Sequence, residues 1–148
     1  MALRAQRLVA TPLAALERDS LAATLAKAGL PAVDVREPGQ LFWRFQRDDM
    51  PVGFGGLEIH GDAALLHSIV TLPSQRRRGI GGAIVAALEA EVPRHSCRNI
   101  FLLTTEPDFF AHLGYAKTAR NKVPKAIQKT AHFTALVASA TIMVKRLK

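Results

Sequence analysis

At 148 residues, 49% of them hydrophobic, the chain has the size of one ordinary domain and enough apolar content to build a core without cross-links. Its 20 Lys and Arg against 12 Asp and Glu leave a net charge of +8, a field that attracts anions without choosing among nucleic acid, membrane surface and nucleotide. The single cysteine, Cys97, excludes an internal disulfide, and no Cys/His spacing resembles a zinc site, so a cytoplasmic protein with no metal is expected.

Residues 1–16 carry Arg4 and Arg7 ahead of a short apolar stretch, an imitation of a secretory signal that Pro12 interrupts and Glu17 ends without a cleavage site. No apolar run nears the ~20 residues of a membrane helix. No repeat or low-complexity linker divides the sequence, so a single domain over 1–148 is expected. Residues 6–11 read as a first strand. Leu16, Leu21, Leu25 and Ala28 then recur at helical spacing until Gly29-Leu30-Pro31 stops them, and residues 34–39 are ambiguous, one helical turn being one reading. Residues 41–47, 52–59 and 63–72 are three strands joined by short turns, hence an antiparallel meander. Trp43 and Phe45 alternate with Arg44 and should share a core face. After Pro73 the period changes, and Ile80, Ala83, Ile84, Ala87 and Leu88 mark a helix ending before Pro93. Residues 99–105 form an apolar run of strand length, and a strand after a helix suggests a crossover. A helix from Pro107 to Gly114, a strand over 115–120, a short helix over 124–131 and a final strand over 139–147 complete a mixed sheet with helices, α/β or α+β.

Chemistry concentrates where the third meander strand passes into the helix, at Arg76-Arg77-Arg78-Gly79-Ile80-Gly81-Gly82. The first N–H groups of a helix have no internal partner and the helix dipole adds positive charge, so an anion can sit there. Glycines let it approach the backbone, and an arginine can add a charge-assisted contact. The bland alternative is a Gly-rich helix start with a solvated arginine run. A Walker loop would need the Lys and hydroxyl that are missing, and a dinucleotide fingerprint fits no better.

This loop resembles the cofactor loop of the GNAT superfamily of N-acetyltransferases, and Phe109-Phe110-Ala111-His112-Leu113-Gly114-Tyr115 resembles the family's downstream aromatic segment. Pattern-level matches at Gly56-Leu57-Glu58, Ala64-Leu65-Leu66-His67-Ser68, Leu102-Leu103-Thr104-Thr105 and Val123-Pro124-x-x-Ile127-x-x-Thr130-x-x-Phe133 resemble N-acetyltransferases associated with arsenic-resistance operons, relatives of those acting on phosphinothricin-like amino acids. Those relatives carry Cys-Pro where this chain has Val137-Ala138, which speaks against a thiol role for arsenic at that point.

The resemblance implies a central sheet of about six to seven strands with splayed fourth and fifth strands, and acetyl-CoA as cosubstrate. An amine attacks the thioester directly and CoA thiolate leaves. The implied cofactor contacts are backbone groups of Val70, Thr71 and Leu72, the loop Arg76, Arg77, Arg78, Gly79, Ile80, Gly81 and Gly82, and Phe109 with Phe110. A base is needed, and Glu58 is the first candidate against its reading as a strand-end carboxylate. His67 is the second, against a sheet-packing histidine, and Glu106 could face the site or only begin a helix. Where the family often has a Tyr to protonate the thiolate, this chain has Phe110, and Tyr115 is expected to pack. Arg120, Lys122 and Lys125 could hold an acceptor's carboxylate or phosphinate, against a solvated basic face.

The favoured partner is therefore a small, amino-acid-like amine, with no membrane and a homodimer compatible. Rivals are acetylation of protein amines, a GNAT-shaped CoA-binding domain without catalysis, and a basic nucleic-acid module supported by net charge alone.

Overall fold

The computed structural model describes residues 8–14, 17–27, 40–72, 79–134 and 140–147. The meander is there: β2 (Gln40–Arg47), β3 (Met50–His60) and β4 (Ala63–Thr71) pair in antiparallel succession, with β1 (Val9–Pro12) added to β2. Helix α1 (Glu17–Lys27) lies between β1 and β2, and α2 (Ile80–Glu91) carries the chain from β4 to β5 (Asn99–Thr104), which pairs parallel to β4. Helix α3 (Pro107–His112), the short β6 (Ala116–Lys117), the one-turn helices α4 (Lys125–Gln128) and α5 (Ala131–Thr134), and β7 (Thr141–Arg146) follow. The described strands form a seven-stranded mixed sheet in the order β1-β2-β3-β4-β5-β7-β6. No helix among the described residues is long and apolar enough to cross a membrane.

Strand alternation divides the sheet's side chains between two different faces. Leu57, Leu66, Ile100 and Leu102 join Trp43 and Phe45 against Ile84, Val85 and Leu88 of α2, forming the larger core. Arg44 points the other way and pairs with Glu17 of α1, as the alternation predicts. The opposite face carries two smaller clusters, Leu13, Leu21, Leu25, Phe42 and Val70 under α1, and Leu65, Phe101, Val123, Ile127 and Phe133 towards α4 and α5. Between those two clusters the sheet face is polar.

The expected strand over 115–120 shrinks to Ala116–Lys117, and residues 120–122 form a 3-10 turn. Tyr115 is drawn into the core, where its hydroxyl donates to Glu89 Oε2 at 2.8 Å, and Lys145 Nζ donates to both Glu89 oxygens and to the Leu113 carbonyl. The single helix expected over 124–131 is two turns, because the Thr130 hydroxyl donates to the Ile127 carbonyl at 2.7 Å and accepts from Phe133 N–H at the next helix start. Such a side chain competes with the backbone and resets the helix. Residues 34–39 and Leu136 lie outside the described residues.

Helix α2 can sit close on the sheet because β3 is thin beneath it. A Cβ on Gly53 would lie 2.1 Å from the Val70 carbonyl oxygen and 2.7 Å from Ile84 Cδ1. The first of these is backbone and cannot swing away. Gly53→Ala should therefore lower unfolding free energy by about 1–3 kcal/mol, as overpacking does. In Gly82→Ala, where the nearest atom is Leu113 Cδ2 at 3.7 Å, the change should be neutral or stabilising, and urea unfolding of the two variants checks both.

Candidate active site

Strands β4 and β5 pair only where Ala63, Ala64 and Leu65 meet Asn99, Ile100 and Phe101. Beyond that, β4 follows β3 to Thr71 and β5 follows β7 to Thr104, so the two part and leave a cleft. A bulge helps to redirect β4. Ser68 has φ 57, and the register passes from Gly56↔His67 to Phe54↔Val70, so Ser68 and Ile69 together oppose Gly55.

The bulge and the strand's alternation decide which backbone groups face the cleft. Leu72 N–H donates to the Val52 carbonyl at 2.9 Å, and the Val70 carbonyl lies against Gly53, so both residues direct their backbone groups to β3. Thr71, and by alternation Ile69, turn theirs to the open side. Of the expected trio Val70, Thr71 and Leu72, only Thr71 can extend a ladder to a ligand in the gap.

Helix α2 starts after Gly79, at φ 74, with no side-chain cap. The N–H groups of Ile80, Gly81 and Gly82 have no partner within the helix. Phe109 closes over this end: a Cβ on Gly81 would be 3.2 Å from Phe109 Cζ and 3.7 Å from Thr71 Oγ1. The end of β4, the start of α2 and the start of α3 thus meet at Gly81. Phe110 turns away from that junction. Its ring is buried in the main core, edge-on to Phe109 and Tyr115. Arg76, Arg77 and Arg78 lie outside the described residues.

On the opposite face of the sheet, in the polar stretch between the two small clusters, Glu58 and His67 come together, and His132 of α5 joins them. One carboxylate oxygen and one nitrogen of each ring all lie within 4.8 Å of one another. Glu58 and His67 are diagonal neighbours across β3 and β4, which is why they share a face. The His67 ring stacks on His132 with centroids 4.2 Å apart and meets Phe42 edge-on at 5.4 Å. Gly56 is required below it, since a Cβ there would be 2.6 Å from His67 Cε1.

The polar atoms of the pair are divided. Glu58 Oε1 is 3.1 Å from His60 Nε2, and His67 Nδ1 is 2.9 Å from Ser68 Oγ. Glu58 Oε2 and His67 Nε2 are buried and make no hydrogen bond among the described residues. Burial holds the His67 pKa well below the ordinary imidazole value, His132 beside it acts in the same sense, and the nearby Leu57 carbonyl opposes them. His67 is therefore neutral near pH 7, a ring able to accept a hydrogen bond or bind a ligand at one nitrogen.

The remaining candidates sit apart. Glu106 is exposed at the start of α3, with no side-chain cap bond. Arg120, Lys122 and Lys125 are all exposed, and Arg120 lays its guanidinium 5.6 Å from the centre of the Phe133 ring, the residue after His132. Three residues near the cluster escape a reading of the sequence. His132 is 65 positions from His67 by number, with no periodicity joining them. Gln40 is buried opposite Glu58, its Oε1 without a hydrogen bond, and the Arg18 guanidinium donates to the Gln40 carbonyl and lies over Phe42. An apolar strand start and a charged helix face conceal both.

The acetyltransferase (GNAT) family profile matches residues 10–118. Among solved structures, a Mycobacterium tuberculosis protein in complex with CoA superposes with TM-score 0.75 at 20% identity, over 95% of this chain and 99% of that one. N-acetylglutamate synthase from Neisseria gonorrhoeae, complexed with coenzyme A and L-arginine, gives TM-score 0.76 at 16% identity over 95% of this chain, which spans only 33% of that one. An aminoglycoside 6'-N-acetyltransferase complexed with coenzyme A gives 0.66 at 19% identity, over 93% and 96% of the two chains. At these identities the structures show a shared fold. No curated protein matches the chain in sequence.

The lowered His67 pKa has a consequence for stability. Below about pH 6.5 the unfolded imidazole takes up a proton that the buried ring refuses, so the unfolded state binds more protons and stability falls as pH falls. Urea unfolding at about pH 7.5 and about pH 5.5 should show this loss, and His67→Asn should flatten it. An unchanged slope in the variant would mean that His67 titrates alike in both states.

Proposed function

Since the chain belongs to the acetyltransferase (GNAT) family, we propose that it transfers an acetyl group from acetyl-CoA to the primary amine of a small, amino-acid-like molecule by direct attack within a ternary complex. One observation carries the reading: strand β4 runs between the uncapped helix start at Gly81 and the Glu58–His67 cluster, with the cleft opening alongside it.

In this mechanism the free N–H groups at the start of α2 receive the pyrophosphate, assisted by the arginines of residues 76–78. Thr71 and Ile69 offer backbone groups to the pantetheine arm, which lies in the gap as an extra strand. An N–H from this stretch can stabilise the oxyanion as the amine adds to the thioester carbonyl. Glu58 Oε2 takes a proton from the arriving ammonium, leaving a neutral amine and a carboxylic acid whose Oε1 is held 3.1 Å from His60 Nε2. The amine nitrogen then bonds to the carbonyl carbon, the C–S bond breaks, and the pair of electrons leaves on sulfur. Neutral His67 orients the amine and supplies a second acceptor.

Arg120 on Phe133 and Arg18 on Phe42 flank this cluster, and either can hold an acceptor's carboxylate or phosphinate. Lys122 and Lys125 act at most as an outer field. The closer kinship we propose, with the arsenic-resistance-associated N-acetyltransferases, gains support from where its motifs fall: Gly56, Glu58, His67 and Ser68 all line the cluster. A single cytoplasmic domain over 1–148, open to homodimer formation, completes the proposal.

Two substitutions test the two ends of the cleft. Gly81→Asp should abolish acetyl-CoA binding by calorimetry while the protein stays folded, because its carboxylate takes the anion's place; unchanged affinity would remove the helix start from the mechanism. With the best acceptor from a mass-spectrometric panel of amines, Glu58→Gln should lower kcat by at least ~10²-fold and lose the ascending limb of the pH profile. A raised acceptor KM with kcat preserved would make Glu58 an anchor instead of a base.

A further inference from the structure

We propose that Glu58, His67 and His132 form a binding site for one divalent transition-metal ion of the zinc class. Their donor atoms converge to within 4.8 Å although they come from β3, β4 and α5. His67 is 8% exposed, and its Nε2, like Glu58 Oε2, is buried without a hydrogen bond among the described residues. A buried polar atom left unmet is costly, and one cation answers both.

The chemistry of the donors selects the ion. Two imidazoles and one carboxylate suit zinc and its neighbours, whereas magnesium and calcium take oxygen ligands. The outer atoms are already placed as such a site requires. Ser68 Oγ lies 2.9 Å from His67 Nδ1 and fixes the ring with Nε2 inward, and His60 lies 3.1 Å from Glu58 Oε1 and leaves Oε2 to coordinate. Coordination at about 2.0–2.2 Å draws the donors closer than they stand, and the half-buried Glu58 and His132 side chains supply the movement. Three protein ligands leave a fourth position for water or an amine.

Acetyl transfer in this family needs no metal, so the ion is not a cofactor of the reaction, and its expected effect is inhibition. This consequence rests on the role proposed for Glu58: an ion on Oε2 and an arriving ammonium exclude one another, and zinc should inhibit competitively with the acceptor.

Calorimetric titration of chelator-treated protein with Zn²⁺, without acetyl-CoA, reads the site apart from turnover. One saturable site is expected, weakened at least about tenfold in His132→Ala and in Glu58→Gln, with no comparable heat from Mg²⁺. Co²⁺ bound to the unaltered protein should show the intense visible bands of a four-coordinate site, which keeps the test valid if a variant fails to fold. Absence of saturable binding, equal affinity for Mg²⁺, or affinity unchanged in both variants would overturn the proposal. One-site zinc binding without inhibition would uphold the metal site and count against Glu58 as the base.

Discussion

The parting of β4 from β5 after three paired residues is the constraint on which the rest of this molecule depends. Parallel neighbours in a sheet normally satisfy each other's backbone, and here the second half of β4 loses its partner on one side. The backbone groups of Thr71 and, by alternation, Ile69 then face the open side of the strand. Without the bulge at Ser68 the alternation would be shifted by one residue, and Val70 and Leu72 would face the gap instead.

The two faces of the sheet divide the labour. One is sealed by α2, whose close seat on Gly53 fixes where its free N–H groups end up relative to Thr71. The other carries two small apolar clusters, with Glu58, His67, Gln40 and His132 between them. A polar strip of this kind, in which Glu58 Oε2, His67 Nε2 and Gln40 Oε1 make no hydrogen bond among the described residues, is costly for a fold that has no use for it. Its position beside the cleft is the physical reason for reading it as the acceptor's site.

Much of this was legible in the sequence because it is local. Alternation over 41–72 specified the meander, the switch of period after Pro73 specified α2, and Glu58 and His67 stood out as polar residues on strands next to the Gly-rich loop. What escaped is what depends on distant contacts. His132 reaches His67 only through the packing of Phe133 and Ile127 against Leu65 and Phe101. The division of one helix at Thr130 turns on a single hydroxyl. The backbone directions of Val70 and Leu72 follow from a positive φ at a serine, a conformation that residue type does not announce.

Tyr115 shows how the packing limits the chemistry. Its hydroxyl donates to Glu89, which also holds Lys145, and burial with the neighbouring carboxylate raises its pKa further above the ordinary phenol value. Phe110 stands edge-on between that ring and Phe109, so the phenol serves the junction of α2 with β7 and not the cleft. With no tyrosine to protonate it, the proposed leaving thiolate departs as an anion, and the positive end of α2 is the proposed compensating charge. Under the proposed mechanism catalysis would depend on placement and charge around β4, with Glu58 as the proposed base.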